Sequence, residues 1–521
     1  MSTLVAEQPA LEAAPQLPRA ETLAASVIIM LMMTVAQRLI GFGRGVMFCR
    51  WLSAEELGQW DVAMAFLNLA APLAVLGLPS SFGRYVEYFR ARGQFHTFLR
   101  RTTLVAALAA VLATALVFVA RTWFARLIFG TGERADVVVW LAVCLAAIIL
   151  HNFLTALFIA VRTYRIVTLL QFLQSLGFAV FSLALLVVFP LGARSVVIGF
   201  AVATGLSCLA AIGWLVRLTT AEADAAAPLA PRSFWAKLAP FAAWMWVTNL
   251  VGSLFELIDR YMIVHHGGMT AGEAMSQVGN YHTSRIVPLL FVAVAGLLAS
   301  LMTPHLAQDW EVGRRRSVVR RLNLTLKILS LSLLAASIFV LFSAPLLFGV
   351  AFQNKFQGGL AVLPCTLAYG AWFGTFAVAV NYLWCAERAS LASLPLVFGL
   401  LLNIGLNLVL LPRYGLSGAV WATTIANLAA LILVYRFSSA SGMRVDRGTW
   451  LISLAIGALC FGPWVALAVF AIIVRRALVG HRLFTRREKL ELAASLAQGI
   501  RKLGDIRRRL GAAVTVAQSP R

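Results

Sequence analysis

The chain has 521 residues, of which 61% are hydrophobic and only 12% charged, with a formal net charge of +23. Soluble domains carry about 25% charged residues, so a soluble enzyme or a soluble nucleic-acid binder is excluded. The basic residues lie between apolar runs, where membrane topology accounts for them and no nucleic-acid partner is implied.

Residues 1–21, rich in Ala, Pro, Glu and Gln, predict a disordered cytoplasmic N-terminus. The first apolar run is too long for a signal-peptide core. Twelve apolar spans are expected at about 22–49, 58–79, 98–120, 137–161, 166–190, 194–217, 238–264, 277–304, 322–348, 357–384, 389–411 and 415–437. Each is long enough to cross a hydrocarbon core about 30 Å thick as a helix. A last apolar run, 450–474, is split by Gly462 and Pro463 and reads as a short hairpin. The expected fold is therefore an all-α polytopic membrane protein with about fourteen transmembrane segments, twelve or thirteen being the alternatives. Residues 22–217 form an N-lobe of six spans, 218–237 a cytoplasmic linker and 238–440 a C-lobe of six. Residues 441–475 form the hairpin and 476–521 a basic tail.

Loop charge sets the orientation. With the N-terminus inside, the cytoplasmic loops hold Arg84, Arg90, Arg92, Arg100, Arg101, Lys237, Arg320 and Arg321 among others, and the outer loops hold far fewer cations. The positive-inside rule then puts both termini in the cytoplasm. In the tail, Thr485 and Glu488 fit a capping box. Leu492, Leu496, Ile500, Leu503, Ile506 and Leu510 recur at helical spacing between arginines, a pattern suited to anionic inner-leaflet lipids. A solvated tail that serves topology alone is the competing reading. The six cysteines are scattered without metal-ligand spacing and read as reduced packers, so no metal site is expected.

The two halves repeat. Residues 57–60 (LGQW) match 278–281 (VGNY), 127–130 (LIFG) match 346–349 (LLFG), and Pro190 matches Pro412, all at an offset near 220 that spans six helices. An even number of spans gives the halves the same topology, as in transporters whose path lies between parallel repeats. The same offset pairs Arg38 with Asp259.

Several motifs resemble the polysaccharide transporter family, the Wzx-type flippases of the larger superfamily that includes multidrug exporters. They are 50–58 (RWLSAEELG), 76–79 (LGLP) with 84–86 (RYV), 258–260 (IDR) with 278–281 and Pro304, and 403–423 (NIGLNLVLLPRYGLSGAVWAT). The likeness covers about 22–440. It implies two six-helix lobes around a central cavity, and ion-coupled export of lipid-linked oligosaccharide for O-antigen, capsule or exopolysaccharide. The ion, H+ or Na+, is the only small cofactor implied, and polysaccharide polymerase or assembly proteins are implied partners. A multidrug ion antiporter is the alternative; a membrane polymerase or ligase is disfavoured by the short outer loops.

Such a cargo is anionic and hydroxylated, and charges at bilayer depth need a reason. Arg285 enters from the outer side and reaches mid-membrane, about 12 Å in at 1.5 Å per residue, which makes it the first candidate for the pyrophosphate. Arg38 is its candidate companion from the other lobe. Asn249, Asn280, His151 and Asn152 are the remaining candidates along the path, with helix packing as the competing reading. Glu256, Asp259 and Arg260 are candidates for ion coupling or for a gate at the outer rim. Asp259 and Arg260 are adjacent, so they do not face each other. Pro412, Gly415 and Gly418 are assigned to a helix–turn–helix corner, and Lys327, near the cytoplasmic end of its span, is expected to snorkel.

Overall fold

Long apolar helices form because a backbone in hydrocarbon must satisfy its own hydrogen bonds. The computed structural model describes residues 20–189, 191–220, 230–480 and 483–490, and no strand occurs among them. The N-terminal segment 1–19, Pro190, residues 221–229 of the expected linker, residues 481–482, the tail beyond 490 and the side chain of Glu256 lie outside the described residues.

The helices in chain order are α1 (Ala20–Trp51), α2 (Ala54–Ala74), α3 (Phe82–Arg90), α4 (Phe95–Val119), α5 (Arg121–Phe129), α6 (Ala135–Ala160), α7 (Tyr164–Val188) and α8 (Ala193–Thr220). They continue with α9 (Pro231–His266), α10 (Ala271–Glu311), α11 (Arg315–Leu346), α12 (Gln357–Ala379), α13 (Asn381–Cys385), α14 (Ala389–Ala440), α15 (Arg447–Ala455) and α16 (Pro463–Val479). Among the described residues nine helical stretches are long and apolar enough to cross a membrane, and α2 joined to α3 through a 65° bend makes a tenth.

The chain forms two compact units that interleave in sequence. One gathers α1 up to Gly45, Ala70–Ala120 and Val137–Trp246; the other gathers Val46–Leu69, Arg121–Asp136 and the chain from Val247 onward. In the first unit, an aromatic knot of Phe82, Phe89, Phe98, Phe153 and Phe234 ties α3 to α4, α6 and the start of α9, with ring centroids 5.1–6.2 Å apart. Such pairs contribute about 0.5–1.5 kcal/mol each beyond burial. On α4, Leu104, Leu108, Leu112 and Leu116 form an exposed stripe at four-residue spacing, as a lipid-facing helix requires.

In the second unit, small residues let α12 lie close against α10. Asn280 pins that contact: its Nδ2 donates to Ser276 O at 3.0 Å and its Oδ1 accepts from Gly359 N at 3.1 Å. The corner expected at 412–418 is present. Helix α14 is helical throughout except at Gly415, whose φ of 56° favours glycine. Its two halves double back on each other: Asn403 reaches Thr423 at 3.1 Å, and a Cβ on Gly418 would meet the Leu410 backbone.

Residues 447–479 also fold back. Ile452 of α15 and Ile473 of α16 share one apolar cluster with Leu483 and Phe484, so the break at Gly462 makes a hairpin rather than a kinked rod. The capping box at Thr485 forms, with Glu488 Oε2 accepting from Thr485 N at 2.7 Å and Thr485 Oγ1 from Glu488 N at 3.3 Å. Lys327 departs from expectation. It does not snorkel; it is 1% exposed, with Nζ 3.0 Å from both Glu488 carboxylate oxygens and 2.6 Å from Asp446 Oδ2. The ammonium has carboxylate partners at its own depth, so its stem has no need to carry it toward water.

Candidate functional site

The site is built where α2 and α10 begin. Each helix starts on a capping box, Ser53 with Glu56 and Thr270 with Glu273, so both N-termini are sharply defined. About one turn into α2 and two turns into α10, the repeated glycines meet. A Cβ on Gly58 would lie 2.7 Å from the Met275 carbonyl carbon, and one on Gly279 would lie 2.8 Å from that of Ala54. The backbones of two equivalent helices therefore touch at equivalent residues, and only glycine at both positions permits it.

Three residues further along each helix, Asp61 and His282 face each other, also at the repeat offset of 221, with Oδ1 2.8 Å from Nδ1. Asp61 also takes a forked pair from Arg260, Nε to Oδ2 at 2.6 Å and Nη2 to Oδ1 at 3.2 Å. Both partners are under one-tenth exposed. Bidentate geometry is what makes a buried ion pair affordable after two desolvations.

The neighbouring Asp259 points elsewhere, as helix geometry requires. It is buried and accepts four hydrogen bonds from neutral donors: Tyr281 Oη at 2.7 Å, Thr423 Oγ1 at 2.8 Å, Asn403 Nδ2 at 3.0 Å and Asn407 Nδ2 at 3.3 Å. Among the described residues it has no ion-pair partner. Asn407 Oδ1 beside it is buried without a hydrogen-bond partner.

Arg285 lies one turn beyond Tyr281, with its guanidinium carbon 5.0 Å from that ring's centre. It is buried and has no carboxylate within 4 Å among the described residues. With Arg260, Asp61, Asn68 and Ser253 it lines a cavity of about 200 Å³.

The other expected residues are not members of this cluster. Arg38 is exposed on α1 and belongs to the other compact unit. Asn249 is half-buried on α9, Asn152 is exposed, and His151 is buried with Nδ1 3.4 Å from Ser207 Oγ. Asn280 sits in the α10–α12 contact described above. Asp61, His282, Tyr281, Asn403, Asn407 and Thr423 are members that the sequence reading passes over. The signal for Asp61 and His282 lies in the repeat itself, because they fall at the offset that relates the two glycines.

Solved structures share this architecture. The lipid II flippase MurJ in an inward closed conformation superposes with a TM-score of 0.67 at 14% identity, covering 86% of this chain and 98% of that one. A multidrug resistance MATE family transporter in an inward-facing conformation gives 0.59 at 14% identity, covering 81% and 95%. A MOP superfamily transporter from Pyrococcus furiosus gives 0.58 at 14%, covering 84% and 95%. At these identities the likeness defines the fold. No curated protein matches the chain.

The helices and this likeness define a multi-pass membrane protein with a transporter fold. Residues 23–308, more than half of the chain, match the family described as polysaccharide biosynthesis protein, and the chain belongs to that family.

Proposed function

We propose that this protein is a flippase that moves lipid-linked oligosaccharide from the inner to the outer leaflet of the cytoplasmic membrane, with both termini in the cytoplasm. The observation that carries the reading is Arg285, a buried guanidinium without a carboxylate partner that opens on a polar cavity together with Arg260. A buried cation on an open cavity suits an anionic pyrophosphate and repels the cationic cargo of a drug antiporter. Membership of a polysaccharide biosynthesis family and the MurJ-like fold point the same way.

Alternating access needs contacts that form in one state and break in the other. The α2–α10 crossing with Asp61, His282 and Arg260 is a candidate for such a contact, at helix starts that the charge pattern assigns to the outer side. Coupling falls to Asp259. A buried carboxylate that accepts from two hydroxyls and two amide N–H groups is the acid here suited to exchange a proton or a monovalent cation, and the unpartnered Asn407 Oδ1 supplies a further oxygen. The basic sequence of the tail suits anionic inner-leaflet lipids, and a polymerase is the partner suited to take the cargo on the far side.

Substitution of Arg285 by Ala in the native host tests the reading. Loss of surface polysaccharide and accumulation of the lipid-linked intermediate on the inner leaflet are expected. Normal surface polysaccharide from a normally expressed Arg285→Ala protein overturns it.

A further inference from the structure

Helix α3 carries a second cationic site, in the unit that does not contain Arg285. It follows α2 through a 65° bend and is strongly two-faced. Phe82, Tyr85, Val86 and Phe89 recur at helical spacing and are buried. The opposite face shows Arg84 and, one turn on, Tyr88, followed by Arg92 in the loop. Lys237 arrives from α9, held there because its carbonyl accepts the Tyr85 hydroxyl at 3.0 Å.

Two cations converge on a single ring. The Arg92 guanidinium carbon and Lys237 Nζ are each 3.6 Å from the centre of Tyr88, so the two charges lie within twice that distance of each other. Arg84 stands beside them, 5.2 Å from the Phe241 ring centre and 5.7 Å from that of Tyr85. Glu87 is the acid of this face, and it sits nearest Arg90 and Arg162, at 3.9 and 3.8 Å. None of Arg84, Arg92 and Lys237 has a carboxylate within 4 Å among the described residues.

Topology requires only that positive charge lie on this side of the membrane. It does not require that residues from three segments be drawn together against their own repulsion. Aromatic faces hold them there, which orders the side chains before any ligand arrives and lowers the cost of binding. Two guanidinium forks and an ammonium present more positive charge than a phospholipid monophosphate can neutralise, and they suit a diphosphate.

We propose that Arg84, Arg92 and Lys237 form a docking site for the pyrophosphate head group of the lipid-linked cargo, occupied on the cytoplasmic face before the cargo reaches the cavity at Arg285. The proposal rests on the flippase reading for the identity of the cargo.

The test is binding of undecaprenyl pyrophosphate to the full-length protein in phosphatidylcholine nanodiscs, in an Arg285→Ala background so that the cavity site does not contribute. Adding R92Q and K237Q together should weaken binding about tenfold or more, the scale of one lost charge-assisted hydrogen bond. The charge-preserving pair R92K and K237R should bind within about threefold of the parent, which separates loss of charge from loss of fold. Unchanged affinity in R92Q/K237Q, or equal loss in both pairs, overturns the site. Displacement of the probe by phosphatidylglycerol at equimolar concentration overturns the assignment to a pyrophosphate. The flippase reading fails separately, through normal surface polysaccharide in Arg285→Ala cells, a result this binding assay does not depend on.

Discussion

Replacing Gly58 or Gly279 by Ala should force apart the two helix starts that the repeat brings together. The added Cβ would lie 2.7 Å or 2.8 Å from a facing carbonyl carbon, where carbons rest at about 3.5–4.0 Å, so the backbones must separate by about 1 Å. Asp61 and His282 lie one turn away, and a 2.8 Å hydrogen bond lengthened by about 1 Å is no longer one. Overpacking costs about 1–3 kcal/mol and a hydrogen bond to a charged group about 1.5–3, so each substitution should weaken this conformation by roughly 3–5 kcal/mol. Helices already separated by one methyl accept the other, so the double substitution should cost at least about 1 kcal/mol less than the sum of the singles. Thermal unfolding of the purified protein in detergent reads the three values, and surface polysaccharide in the host reads the functional consequence. Single variants that melt with the parent, or a double that equals the sum, would refute the crossing as the point where the two repeats are joined.

Other substitutions separate the roles of the buried charges. Asp61→Asn removes the carboxylate that Arg260 and His282 share and should cost about 3–5 kcal/mol in the same unfolding assay. Asp259→Asn should leave the melting temperature within a few degrees, because its partners are neutral, yet abolish the ion dependence of transport in proteoliposomes; retained ion dependence would remove Asp259 from coupling. Lys327→Met leaves Glu488 buried without its cation and should destabilise by about 3–5 kcal/mol, whereas Lys327→Met with Glu488→Leu should recover most of that, because an apolar pair replaces a buried ionic one at little cost. Limited proteolysis after residue 480 should report the loosened hairpin in the first variant and its restoration in the second.

Much of this fold is legible in one dimension because the bilayer imposes lengths. The expected spans coincide with the helices to within several residues, and the corner at Gly415 and the hairpin break at Gly462 are visible as punctuation. The repeat is legible too, although its physical meaning, two glycines in contact, needs the third dimension. Pairings of high sequence separation are hidden from pattern. Asp61 falls near the start of an expected span with nothing local to mark it, and its partner Arg260 is 199 residues away. Asn403 and Asn407 are visible only as flanks of a turn motif, since nothing local says that Asp259, 144 and 148 residues earlier, lies between them. Arg285 is the one candidate that counting along a single helix singles out and that the structure finds buried on the cavity, because counting along one helix needs no partner.

The partnership of Lys327 also has a consequence in time. Glu488 is 161 residues downstream of Lys327, and at about 5–20 residues per second the ribosome delivers it some 10–30 s later. Throughout that interval α11 must hold a positive charge for which no carboxylate at 488 yet exists, and the snorkelled posture expected from sequence describes that nascent helix. The ion pair then forms as one of the last events of synthesis and draws the final hairpin onto a half-molecule already in place. A chain terminated before Glu488 would leave Lys327 with Asp446 as its one carboxylate, half of the final pairing, and the last hairpin without the contact that ties it to α11.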